Sequence, residues 1–221
     1  MSKKSAYGLI IALLIPVLCY LWLKSASESA VAMPGHPFEP DTVLQSVVKG
    51  KIQTDTVWHT TKDIRLVNQM GDSVNLYDQK GKIIILDLFF TSCGSICPKL
   101  TTNMARLQQS FMKGGGDARK KIVDTNIVYF MSLSVDPIRD SVPVLRDYAN
   151  RMDVISDNWW LLTGNRDSIY NFIFQELRLD KFRDEPVSPD FVHTSRFVLI
   201  DKNMHVRGYY KGLDSASLLK L

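Results

Sequence analysis

The run Ile83-Ile84-Ile85-Leu86-Asp87-Leu88-Phe89-Phe90 restricts the fold of this chain more than any other feature. It has strand length and β-branched character, and its apolar residues do not alternate with polar ones. Such a run suits a parallel strand covered on both faces. Helical spacing follows at Leu100, Met104, Leu107 and Phe111, within Pro98–Met112. Between the two patterns lies Thr91-Ser92-Cys93-Gly94-Ser95-Ile96-Cys97-Pro98, so a pair of thiols stands where a strand gives way to a helix.

The same alternation continues along the chain. Ile64–Val67 and Ser73–Leu76 flank a turn and predict a hairpin. Asn126–Val135 reads as a second central strand, Val142–Met152 as a helix with Pro143 in its first turn, and Trp159–Leu162 as a short strand. Asp167–Glu176 reads as a helix, and Ser195–Ile200 with Val206–Tyr210 as a second hairpin. Ser215–Leu221 begins a last short helix. The order β-α-β-α-β-α-β-β-α implies a mostly parallel sheet with helices on both faces, closed by an antiparallel edge. The expected fold class is α/β: a thioredoxin-like mixed sheet flanked by helices, with an N-terminal transmembrane helix. In such sheets the working groups sit at the carboxyl ends of the strands, where Cys93 and Cys97 fall.

Three segments are expected: a membrane anchor or signal peptide over 1–24, a tether over 25–55 and the thioredoxin-like domain over 56–221. Lys3 and Lys4 precede an apolar run over residues 6–23, about 18 residues long, which is enough to cross a bilayer core. Tyr20 and Trp22 suit the far interface, and the two lysines would keep the N-terminus in the cytoplasm. Ala30-Val31-Ala32 offers the small-residue site of a cleaved signal peptide, but the length of the run favours an uncleaved anchor. The tether is rich in small residues and breakers, with local helix expected around Val43–Val48. A net charge of +4, without a basic stripe or a nucleic-acid-binding motif, excludes nucleic acid as the expected partner.

Cys19 falls in the apolar run, which leaves one thiol pair in the soluble part. A helix start favours ionised thiols through its unpaired N–H groups. Two such thiols about one turn apart close a disulfide or share a soft metal ion. A bridge over so short a spacing would stabilise little by chain entropy, which argues against a purely structural staple. The best third partner is His193, in the segment leading into the strand at Ser195–Ile200. The competing reading is a histidine that only caps or packs there. Two thiolates and an imidazole suit copper, as Cu(I) or Cu(II), whereas structural zinc would want a fourth ligand. Among the other histidines, His36 and His205 are expected to be solvated and His59 to make a structural hydrogen bond. Asp136 and Asp140 follow the second central strand, either behind the thiols, or on a partner-docking surface, or as solvated loop carboxylates. Trp159 and Trp160 are expected to divide between core and surface, and Met131 to be core.

The chain resembles the SCO/SenC family of membrane-anchored copper-binding assembly factors for cytochrome c oxidase. The likeness is carried by Phe89-Phe90-Thr91-Ser92-Cys93 with Cys97-Pro98, by Ser134-Val135-Asp136-Pro137-Ile138-Arg139-Asp140, by Trp160-Leu161-Leu162-Thr163-Gly164 and by Val192-His193-Thr194-Ser195 leading into Phe197–Asp201. It implies copper held by Cys93, Cys97 and His193 and delivered to the copper site of oxidase subunit II or a similar copper protein. A copper donor and a thiol reductant would be further partners, and the location would be the bacterial inner membrane, single-pass, with the soluble domain outside the cytoplasm. Gly94 stands where the family usually has proline, and Gly94-Ser95-Ile96 lack its common acidic residue. The alternative is an enzyme, an extracytoplasmic thiol–disulfide reductase using Cys93 and Cys97 without metal. A peroxidase with Cys93 as the reactive thiol is a third reading.

Overall fold

In the computed structural model the described residues are 13–22, 35–37, 40–48, 51–114, 121–123, 127–179, 194–219 and 221. The strands are β1 (Thr42–Val48), β2 (Lys51–Val57), β3 (Arg65–Asn68), β4 (Ser73–Asn75), β5 (Ile83–Phe89), β6 (Met112–Gly114), β7 (Lys121–Val123), β8 (Val128–Ser134), β9 (Trp159–Thr163), β10 (Arg196–Ile200) and β11 (Val206–Lys211). The helices of the domain are α1 (Cys97–Ser110), α2 (Val142–Arg151), α3 (Arg166–Asn171) and α4 (Ser215–Leu218). A π-helical turn, Phe172–Glu176, continues α3, so the helix expected over Asp167–Glu176 changes pitch midway.

The main sheet has seven strands in the order β11-β10-β5-β8-β9-β3-β4. Only β5–β8 and β8–β9 pair parallel. β10 runs antiparallel to β5 and β11, and β3 antiparallel to β9 and β4. The sheet is mixed, as expected, but the expectation that it is mostly parallel is corrected: three parallel strands are flanked by a hairpin on each side. A hairpin forces reversal through its tight turn, so each flank adds antiparallel pairs. Gly71 (φ 96°) and Met204 (φ 69°) lie in these turns, in the left-handed region that a tight reversal demands.

The lack of alternation in β5 is explained by cover on both sides. Ile85 and Phe89 join Phe130, Trp159, Phe197 and Leu199 under α1 and α2, which contribute Leu100, Met104, Leu145 and Tyr148. Ile84, Leu86 and Leu88 join Met131, Leu133 and Val198 on the opposite face, under Ile169, Phe172 and Ile173. Helices therefore lie on both faces, as expected. Trp159 is wholly buried and Trp160 only partly, and Met131 is core.

Gly212 closes β11 against α1. A Cβ there would stand 2.6 Å from Leu100 Cδ2 and 2.8 Å from Phe197 Cε1. Its N–H donates to the Ser195 carbonyl (2.7 Å), and its own carbonyl accepts from Asn103 Nδ2 (2.7 Å).

Residues 43–48, where local helix was expected, belong instead to the β1–β2 hairpin. Their β-branched valines explain the preference. A second small hairpin, β6–β7, follows α1. His36 is not solvated. Its ring stacks on Trp58 (4.1 Å between centroids, 7° between planes), and Nε2 lies 2.6 Å from an Arg207 guanidinium nitrogen. His205, expected exposed, is half-buried at the edge of the His36 ring and 3.5 Å from Asp201. His59 makes its expected hydrogen bond, Nδ1 to Asp41 at 3.1 Å.

Residues 1–34 form a separate unit, within which 13–22 are helical and exposed. Among the described residues no helix is long and apolar enough to cross a membrane. The rest of the expected anchor lies outside the described residues.

Candidate metal and thiol centre

Cys97 opens α1 as its first helical residue, with Pro98 next, where its missing N–H costs nothing. Because the Ile96 cap has no side-chain acceptor, the first N–H groups of the helix are left to other partners. One partner is the sulfur of Cys93. The Cys97 backbone N–H donates to Cys93 Sγ at 3.5 Å, and Cys93 N–H donates to the Phe90 carbonyl at 3.2 Å. Both thiols are free, Cys93 half-buried and Cys97 fully buried.

The two thiols ionise very differently. Burial works against the Cys93 thiolate, but the Cys97 thiol and the backbone N–H groups of Cys97, Ser95 and Ile96 outweigh it and bring the group down to about 7. Burial pushes Cys97 well above the ordinary thiol range. Its donation to Cys93 and the charges of Cys93 and Asp87 add to the rise, against the Phe90 backbone N–H. Cys93 is therefore the more readily ionised of the two thiols. Cys97 keeps its proton until a cation or a sulfur partner replaces it.

Asp87 lies beneath this pair. By the two-residue period of β5 it shares the face of Ile85 and Phe89, under α1. It is 1% exposed, and among the described residues neither oxygen makes a hydrogen bond of ordinary geometry. Burial pushes its carboxyl up to about 7, against the Ser132 hydroxyl and its own backbone, which favour the charged form. Ser132 is its register partner on β8, and the Ser132 Oγ accepts from Trp159 Nε1 at 3.0 Å.

The loop after β8 is tied to the loop that carries Cys93. Asp140 is wholly buried. Its carboxylate accepts from the Thr91 hydroxyl (2.5 Å), the Thr91 N–H (3.2 Å) and the Ser134 hydroxyl (2.5 Å). Asp136, also buried, donates its N–H to the Ser134 Oγ (3.1 Å), and its carboxylate lies 3.6 Å from Arg139. Of the sequence readings for these carboxylates, solvation is excluded.

Of the expected ligands, Cys93 and Cys97 meet. His193 lies outside the described residues. Among the described residues no group of three or more His, Cys, Asp or Glu side chains is arranged to hold a metal ion. Three participants escaped sequence reasoning: Asp87, Thr91 and Ser134. Asp87 had a signal, as the one carboxylate inside an apolar strand run. Thr91 and Ser134 had only their places in the Phe89–Cys93 and Ser134–Asp140 motifs, because only the pairing of β5 with β8 brings them to one carboxylate.

The SCO1/SenC family profile matches residues 53–220. The chain belongs to the SCO1/SenC family. A SCO1 protein homolog of Bacillus subtilis is 32% identical over 153 residues, covering 67% of this chain and 72% of that protein. Among solved structures, BsSco is 29% identical with a TM-score of 0.56, covering 71% of this chain and 85% of its own. BsSco is described as a member of the Sco family of cytochrome c oxidase assembly proteins in which a disulfide switch was identified. Arabidopsis thaliana ScoI, solved with copper bound, shares the fold at a TM-score of 0.53 and 22% identity, covering 73% of this chain and 93% of its own.

Proposed function

We propose that this SCO1/SenC protein is a membrane-anchored copper chaperone that serves assembly of the copper site of cytochrome c oxidase. The observation that carries the reading is the dithiol at the head of α1, with Cys93 brought down to about 7 by converging N–H donors. Two sulfurs, one of them ionised near neutral pH, are soft donors that suit Cu(I). A coordinated cation would also reverse the unfavourable ionisation of Cys97. His193 is the proposed third ligand, and copper is the cargo. Membership of the family, and a relative with copper bound, support this choice of metal. The lysines and apolar run over 3–23 support an inner-membrane anchor with the domain outside the cytoplasm. The proposed partners are a copper donor, a thiol reductant and oxidase subunit II or a similar copper protein.

The test is anaerobic reconstitution of the full chain with Cu(I), with metal content and affinity measured. One copper per chain is expected. Cys93→Ser is expected to abolish tight binding, and His193→Ala to weaken it by about tenfold or more. Undiminished affinity in His193→Ala removes that residue from the ligand set. Failure of the native dithiol to bind Cu(I) ends the chaperone reading.

The asymmetry of the thiols favours a second reading, extracytoplasmic thiol–disulfide reduction of a copper-site target. An attacking thiol of low pKa beside a buried resolving thiol is the arrangement that exchange requires. The disulfide switch of BsSco supports it. Turnover in an insulin-reduction assay, lost in Cys93→Ser, is the expected result for a general reductase. No turnover restricts any exchange to a dedicated partner.

A further inference from the structure

Between Cys93 and Ile96, which pack against the core, the loop has little packing of its own. Gly94 and Ser95 are exposed, and nothing lies within 4 Å of where a Gly94 Cβ would stand. Yet Cys93 Sγ sits where it accepts the Cys97 N–H at the head of α1, at 3.5 Å. Both sulfurs take their bearings from the short segment at the end of β5. The Phe90 carbonyl accepts the Cys93 N–H, and the Phe90 N–H reaches the Cys97 sulfur. Thr91, the next residue, carries the attachment to the rest of the protein.

We propose that Asp140 is a positioning residue for the dithiol. Acting through Thr91, it holds the strand end from which both sulfurs are set. Three donors converge on one wholly buried carboxylate, two from Thr91 and one from Ser134. Ser134 is anchored in turn, as the register partner of Phe89 on β8 and as acceptor of the Asp136 N–H. The Asp140 N–H donates to the Asp136 carbonyl (2.9 Å), so the loop that presents the carboxylate is itself closed. The clamp joins the carboxyl ends of the two central parallel strands at the point where the thiols leave the sheet. Asparagine is not equivalent. Its amide can accept from the Thr91 N–H and Ser134 and donate to the Thr91 hydroxyl, but it exchanges the charge-assisted bonds of a carboxylate for weaker neutral ones and makes the Thr91 hydroxyl reverse its role.

This inference deepens the reading above and rests on Cys93 and Cys97 being the working groups, but its test needs no copper. The rate of Cys93 alkylation by iodoacetamide is measured against pH in the reduced full chain. In Asp140→Asn the rate near neutral pH is expected to fall about fivefold, with the midpoint moving upward, because a loosened loop loses the donors that stabilise the thiolate. Thr91→Val, which removes the hydroxyl donor and keeps the N–H, is expected to move the midpoint part of the way. Thr91→Ser keeps both donors and is expected to restore the native profile. A carboxylate that merely held the fold would lower the melting temperature and leave the thiol profile in place. A folded Asp140→Asn chain with the native rate and midpoint overturns the proposal. Should that variant not fold, a native profile in Thr91→Val overturns it. A shifted thiol profile in a chain that binds no copper sustains this inference while the chaperone reading fails.

Discussion

At the scale of single residues, Asp87 sets the most testable energetic term. A carboxyl raised to about 7 binds its proton more tightly in the folded chain than in the unfolded one, where the usual value is 3.8. The native state therefore loses stability as pH rises from about 4 to about 7, with little change above that. The shift corresponds to on the order of 4 kcal/mol across the window. Asp87→Asn removes the titration. Its stability relative to the native chain, from urea unfolding, is expected to be greater at pH 8 than at pH 4 by a few kcal/mol. A pH-independent difference would mean that the carboxyl is ionised and compensated in the fold.

At the scale of elements, the decisive contact is between the end of β11 and α1. Leu100 and Phe197 occupy the space a side chain at 212 would need. The obstruction is core side chain, with Leu100 and Phe197 both buried. Gly212→Ala is expected to cost about 1–3 kcal/mol by overpacking, read as a lowered thermal midpoint. Since α1 carries Cys97, the same variant is expected to loosen the helix start and weaken Cu(I) binding. A variant of native stability would mean that α1 shifts freely on the sheet. Element types were legible in the sequence where the pattern was long and strong: β5, β8, α1, α2 and both flanking hairpins. Strand directions were less so, because a hairpin flank and a crossover strand carry the same apolar pattern. The β1–β2 hairpin was missed because Pro and Gly breakers nearby suggested a tether, while β-branched Val43, Val47 and Val48 favoured extended pairing.

At the scale of the whole molecule, the segment before the domain is fastened to it at His36. Arg207 lies against Nε2, Trp58 stacks on the ring, and His205 meets its edge. Burial lowers the His36 pKa from its usual 6.5, with Arg207 and His205 adding to the fall and Asp201 opposing it. A histidine of depressed pKa favours the docked state while neutral. Docking is therefore complete above about pH 6.5 and weakens as pH falls through the lowered value. Trp58 fluorescence is expected to change between pH 7 and pH 5 and to lose that change in His36→Asn. An unchanged signal across the range would mean that the stack survives protonation.

The sequence by itself determined the layered α/β plan, the thiols at a strand-to-helix junction and the family. Each of these is written in local periodicity or in a contiguous motif, which neighbouring residues along the chain can express. Only the tertiary structure decided the mixed strand directions, the opposed ionisation of Cys93 and Cys97, the buried Asp87 beneath them and the Asp140 clamp. Those depend on groups far apart in the chain sharing one small volume, where burial and a few directed hydrogen bonds outweigh the intrinsic chemistry of each side chain.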